Sequence, residues 1–146
     1  MIDFEARKVA AQAARRFVSG RLSNFEFENS MPSSKDPALW AIEDTLWCFY
    51  DNFDEHVFKG QWEPTEETRE LMNRWVLFLY SEEEYLWPKG SYPGLRPFEV
   101  GFWGRLFNRH IKQAEFMSAG DFNYWPFISM ESFENAKSSP VLVSAT

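Results

Sequence analysis

Cysteine, histidine and positive charge are all scarce in this chain, and each shortage removes a class of protein. Its only cysteine, Cys48, has no partner for an internal disulfide, so packing rather than cross-linking must hold the fold. Cys48 also lies between Trp47 and Phe49 with no histidine beside it, which reads as an inert core thiol rather than a nucleophile. No uninterrupted apolar run approaches the roughly 18 residues of a membrane-spanning helix, and no basic-then-apolar leader is present, so the sequence predicts a soluble, cytoplasmic protein. Gly-x-Ser-x-Gly, His-Glu-x-x-His, P-loop and dinucleotide fingerprints are all missing, and Gly101 and Gly104 lack the strand and helix context of a phosphate loop. The expectation is a non-enzyme without catalytic residues, bound metal or cofactor. Lysine and arginine number 15 against 22 acids, for a net charge of -7. That balance repels phosphate and argues against nucleic acid or an anionic membrane as direct partner, leaving a basic protein as the natural one.

Aromatic side chains are what the chain has in abundance, at 18% of 146 residues, including 7 Trp and 15 Phe. Large flat side chains must therefore dominate a core that a chain of this length can readily enclose. Helical periodicity is the prevailing pattern. Asp3 caps a helix whose alanine-rich face, Ala6, Ala10, Ala13 and Ala14, allows close approach of a neighbour, with Gly20 just past its end and Arg7, Lys8, Arg15 and Arg16 around the rest of the cylinder. Ser23 and Glu26 stand in capping-box relation, favouring a short helical turn over an extended piece. Asp36 followed by Pro37 is a strong start signal, and apolar residues recur from Leu39 through Phe53 to Val57. Thr65 caps the next helix, with Glu66 and Glu67 in its first turn, and the stripe Leu71, Trp75, Phe78 and Leu79 makes it the central one. Ser81 and Glu84 suggest a further helical turn carrying Tyr85 and Trp87 to Pro88.

Prolines and glycines between Pro88 and Gly104 exclude a long regular element there. Helical spacing resumes at Trp103 and continues to Met117, placing His110 on an apolar stripe as a partly buried residue. Trp125-Pro126 disfavours helix, and Ser129 caps a last short one. The predicted fold is an all-α bundle, a single domain over 1–137, with four main helices near 4–17, 37–58, 66–80 and 104–118. The second helix is expected to pack on the third, and 138–146 to form a tail in which Val141 to Val143 could add as an edge strand.

Four groups of residues carry a family resemblance: Trp47-x-x-Tyr50-Asp51 with His56 nearby; Arg74-Trp75-x-x-Phe78-Leu79-x-Ser81; Glu84-Tyr85-x-Trp87-Pro88; and Gly120-Asp121-x-x-x-Trp125-Pro126-Phe127. Together they resemble motifs of small bacterial immunity-protein-like and uncharacterised families. These are aromatic and proline anchors, nearly silent on chemistry. The resemblance implies a small acidic protein that binds and neutralises a cognate toxin delivered by contact between competing bacteria.

Two acidic clusters are candidate contacts for a basic partner domain. Asp51, Asp54 and Glu55 lie together beside His56, and Glu82 and Glu83 stand next to Tyr85, a mixture suited to charge pairing and cation–π contact. The simpler account of each is structural: a solvated acidic face for the first, a helix start for the second. Asp51 and Glu55 share a helix face in the expected helix, so a metal- or ligand-dependent enzyme using Asp51, Glu55 and His56 is the alternative, although one helix supplies too few ligands. A homo-oligomer formed through exposed aromatics remains a third reading.

Overall fold

The computed structural model describes residues 1–49 and 54–139, which contain seven α-helices and no strand. Helix α1 spans Phe4–Val18, α2 Asn24–Ser30, α3 Pro37–Leu46 and α4 Glu66–Leu79; α5 spans Phe102–Leu106, α6 Arg109–Ser118 and α7 Met130–Lys137. Several starts are those that local chemistry dictates. Asp3, Ser23, Asp36, Thr65 and Ser129 each accept a backbone N–H of the first turn through their side chains. At the end of α1, Gly20 takes φ +69°, a left-handed conformation that suits glycine at this position.

The second helix stops at Leu46, well short of the expected residue 58. A 310 turn, Trp47–Phe49, follows it, and Asp54 to Phe58 are irregular. The buried N-terminal residue of α2 accounts for the change. Asn24 donates its backbone N–H to the His56 carbonyl at 3.0 Å and accepts the His56 N–H on Oδ1 at 2.8 Å, which holds this segment against α2. Phe58 then packs its ring on Phe17, with centroids 4.3 Å apart. Asp51 and the rest of 50–53 lie outside the described residues, as do 140–146 and with them the expected edge strand at Val141 to Val143.

Packing around α4 also differs from expectation. Its principal neighbour is α1, not α3, because the alanines of α1 let the two backbones approach. α3 instead packs on the 310 turn Pro93–Leu95, where the Gly94 N–H donates to Thr45 Oγ at 3.0 Å. No helical turn follows Ser81. Its hydroxyl donates to the Phe78 carbonyl and accepts the Glu83 N–H, closing α4 rather than opening another helix. The expected helix over 104–118 is two helices, broken where Asn108 adopts φ +58°. Asparagine tolerates the left-handed region better than most residues, so the break has a local cause.

The core is one aromatic cluster. Trp75 meets Trp125 edge to face at 6.2 Å, Phe78 meets Phe127 at 5.0 Å, and Trp87 donates its indole N–H to the Pro126 and Phe127 carbonyls. Arg96–Pro97 and Trp125–Pro126 are cis. Gly120 is fitted closely against the Ile128 backbone, whose carbonyl accepts the Asp121 N–H at 3.0 Å and leaves no room for a Cβ.

Arg7, placed by periodicity on a polar face, is fully buried. Its Nε and Nη2 bind the Asp36 carboxylate at 2.6 and 3.2 Å, Nη1 donates to the Glu83 carbonyl at 2.7 Å, and the guanidinium covers the Phe78 ring. Burial pushes the Asp36 carboxyl up, yet the Arg7 hydrogen bond, the N–H groups of Asp3 and Ala38 and the Arg7 charge together hold it below its ordinary value. A depressed acid stabilises the fold above its unfolded value, and that contribution is lost as pH falls below about 4 toward the folded value.

Asp36→Asn is therefore expected to lower stability by about 3–5 kcal/mol in urea denaturation, since it strands a buried cation while keeping a capping residue. The loss should shrink below about pH 4, and adding Arg7→Met should recover much of it. Gly120→Ala should cost about 1–3 kcal/mol by the same measurement, because a backbone oxygen cannot swing aside.

Candidate functional site

The residues expected to contact a partner separate into three environments. Asp54 and Glu55 are exposed beside the N-terminus of α2. The Ser23 hydroxyl donates to Glu55, and the Asp54 carbonyl accepts from Asn24 Nδ2 at 3.1 Å. Glu82 is exposed and Glu83 half-buried in the segment that Arg7 ties down, and Glu84 lies 4.0 Å from the N-terminal amine. Tyr85 is inside the core, where its hydroxyl accepts the Trp125 indole N–H at 3.3 Å. Burial pushes its phenol far up and keeps it neutral. It offers no surface to a partner.

Further acids join these groups: helical spacing in the sequence already sets Glu43 on a face with Asp51, Asp54 and Glu55, whereas Glu28 and Asp44 are brought in by the fold. Glu26 and Glu28 are exposed on α2, and Glu43 and Asp44 lie near the C-terminal end of α3. The Glu43 carboxyl is raised, first by burial and then by the like charges of Glu28 and Asp44. α2 thus connects Glu55, through Ser23 at its start, to Glu43, through Glu28 near its end. Asp44 accepts the Tyr92 N–H, which fixes the Tyr92 loop beside it. Asp36 and Asp44 are eight residues apart, so about 12 Å of helix axis separates the Glu83 end of α3 from its acidic end. Only tertiary contact brings α2 into this clustering, because its acids come from a separate stretch of chain.

His56 is buried and stacked on Trp62 at 4.1 Å, and its Nδ1 lies 3.1 Å from the Asp54 carbonyl, which requires the proton on that nitrogen. Glu55 is turned to Ser23. Among the described residues no three His, Cys, Asp or Glu side chains are grouped as a metal site would need, and Asp51 lies outside them. His110 is exposed rather than buried in an apolar stripe, because α6 turns its Phe116 side to the core. Cys48 is exposed rather than in the core, since α3 ends before it. Its thiol is pushed up by partial burial and by Asp44, the opposite of nucleophile activation.

A cleft of about 360 Å³ is lined by Gln12, Arg15, Arg16, Ser19, Arg21 and Tyr80. Arg15 and Arg16 lie in the last turn of α1, where the helix dipole favours cations. No helix among the described residues is long and apolar enough to cross a membrane. No protein-family model matches the chain, and no curated protein or solved structure matches it either.

Glu43→Gln should raise the melting temperature at neutral pH. A carboxyl held above its unfolded value costs stability once pH rises through the folded value, and costs nothing when both states are protonated. The gain, no more than about 0.5 kcal/mol after solvent screening, should vanish below about pH 4; a loss at neutral pH would contradict the repulsion.

Proposed function

We propose that the protein is a non-enzymatic binding protein of immunity type, which docks an acidic face on the basic domain of a cognate toxin and occludes its active site. The observation behind the reading is the set of exposed acids beside α2, Glu26, Glu28, Asp54 and Glu55, together with Glu43, whose carboxyl is raised first by burial and then by the charges of Glu28 and Asp44. A cationic partner surface would pair with these carboxylates and offset the like-charge part of their cost. Asp54 and Glu55 beside α2, and Glu82 and Glu83 at the far end of α3, would attract the same basic partner as separate acidic points. Asp51 belongs with them by sequence, whereas buried Tyr85 takes no part.

The test begins with the gene next to this chain's own: a secreted protein with a toxic C-terminal domain encoded there supplies that domain as titrant. Calorimetry should give a one-to-one complex whose affinity falls as salt rises, and Glu28→Lys with Glu82→Lys should weaken it by at least about tenfold. Co-expression should restore growth to cells making the toxin domain, and the double variant should not. An affinity indifferent to salt and to both charge reversals would remove the acidic face from the mechanism, and a metabolic operon in place of a toxin gene would remove the immunity assignment.

A further inference from the structure

The segment from Phe102 to Lys112 is exposed at every residue except Gly104. Its large apolar side chains stand far out of the fold: Phe102 is 75% exposed, Trp103 70%, Leu106 61%, Phe107 68% and Ile111 48%. Such a run of bare aromatic and aliphatic side chains marks an interaction surface, unlike single apolar residues scattered over a protein. The same segment carries Arg105, Arg109 and Lys112 and no acid, a local charge of +3 within a chain of -7, so the remainder carries -10. Glu99 and Glu115 are the nearest acids in the chain on either side.

The base of this hairpin is firmly held. Phe116 is buried and stacked on Trp87 at 5.0 Å, and Gln113 clamps the backbone of Phe98, accepting its N–H at 3.0 Å and donating to its carbonyl at 2.7 Å. Arg96 also donates to Gln113 and covers the Phe98 and Phe116 rings. The apolar end is therefore presented on an ordered support, with its side chains already in water.

We propose that the α5–α6 hairpin docks peripherally on an anionic lipid bilayer, inserting Phe102, Trp103, Leu106 and Phe107 at the headgroup boundary while Arg105, Arg109 and Lys112 meet lipid phosphates. Apolar side chains interleaved with cations are the signature of interfacial helices, which lie on a membrane rather than cross it. Other occupants fit less well. An isologous contact with a second copy would bring two +3 segments face to face. Nucleic acid would meet only three cations on a chain otherwise at -10, and Leu106 and Ile111 have no stacking role on bases. A bilayer accepts aromatic and aliphatic groups together without a shaped pocket, and its negative surface would turn the acidic remainder of the protein outward. The inference does not rest on toxin binding.

The test is flotation of the full chain with vesicles of phosphatidylcholine and phosphatidylserine at about two to one, beside vesicles of phosphatidylcholine alone. Wild type should float with the anionic vesicles, not with the neutral ones, and less as salt rises. Arg105→Glu with Lys112→Glu should reduce partitioning by more than about tenfold, given roughly fivefold for each cation removed. Trp103→Ser with Phe107→Ser should abolish it, and both variants should melt as wild type does because every substituted side chain is exposed. Absence of flotation with anionic vesicles, equal flotation with neutral ones, or full retention by either double variant would overturn the proposal. So would a dimer in light scattering that Trp103→Ser with Phe107→Ser disperses while no vesicle is bound.

Discussion

A guanidinium sealed from water at the meeting of three chain segments is the constraint on which the arrangement depends. Removing Arg7 and Asp36 from solvent costs several kcal/mol for each ion, and only dense, well-directed hydrogen bonding offsets that cost. The bonds come from separate places: Arg7 from α1, the carboxylate from the start of α3, a carbonyl from the strap after α4, and a ring face from α4 itself. Asp36 accepts in addition from the N–H groups of Asp3 and Ala38, so the residue that caps α3 also fastens it to the start of α1. The set is complete only when all of these segments are in register. A shift of α1 by one turn would strand two buried charges, a far larger penalty than a shift in a purely apolar contact.

What sequence could reveal follows from how local each interaction is. Caps at Asp3, Asp36, Thr65 and Ser129 and the glycine after α1 depend on residues within one turn, and all are readable in the chain. The all-α class follows from the same periodicity. Partnership of helices is not local. That α1 rather than α3 lies against α4 depends on how closely an alanine face can be approached, which no single helix pattern states. Arg7 sits among cations at helical spacing with a polar face, and only Asp36, 29 residues away, explains its burial. Ser81 shows the limit of a local motif, since the same spacing that can open a helix here closes one.

Charge in this protein is segregated rather than evenly spread. Glu28 and Asp44 add to burial in raising the Glu43 carboxyl at the end of α3, while the stretch from Phe102 to Lys112 gathers three cations without a single acid. A net value of -7 is an average over those regions and describes neither. Inference from whole-chain charge to partner chemistry holds only where the field is uniform over about a Debye length, roughly 8–10 Å at moderate salt. The two ends of α3 alone are farther apart than that. A local surface of one sign can therefore meet a partner that the net charge of the whole chain disfavours.

Asn108 is the residue that creates the surface from Phe102 to Lys112. In an unbroken helix over 104–118, Trp103, Leu106, Phe107 and His110 would continue the stripe that ends in Phe116 and Met117, and the stripe would lie on the core. A left-handed residue between α5 and α6 ends that continuity, so Phe116 stays against Trp87 while Trp103, Leu106 and Phe107 leave the body of the protein. Core packing would gain from keeping them: burial of a large apolar side chain is worth about 1.5–3 kcal/mol, and three are given up within five residues. The aromatic cluster around Trp75, Trp87 and Trp125 is closed without them. Their exposure is thus a property of the backbone break and not of a shortage of room in a helix pattern, which is why periodicity alone assigned them to the interior.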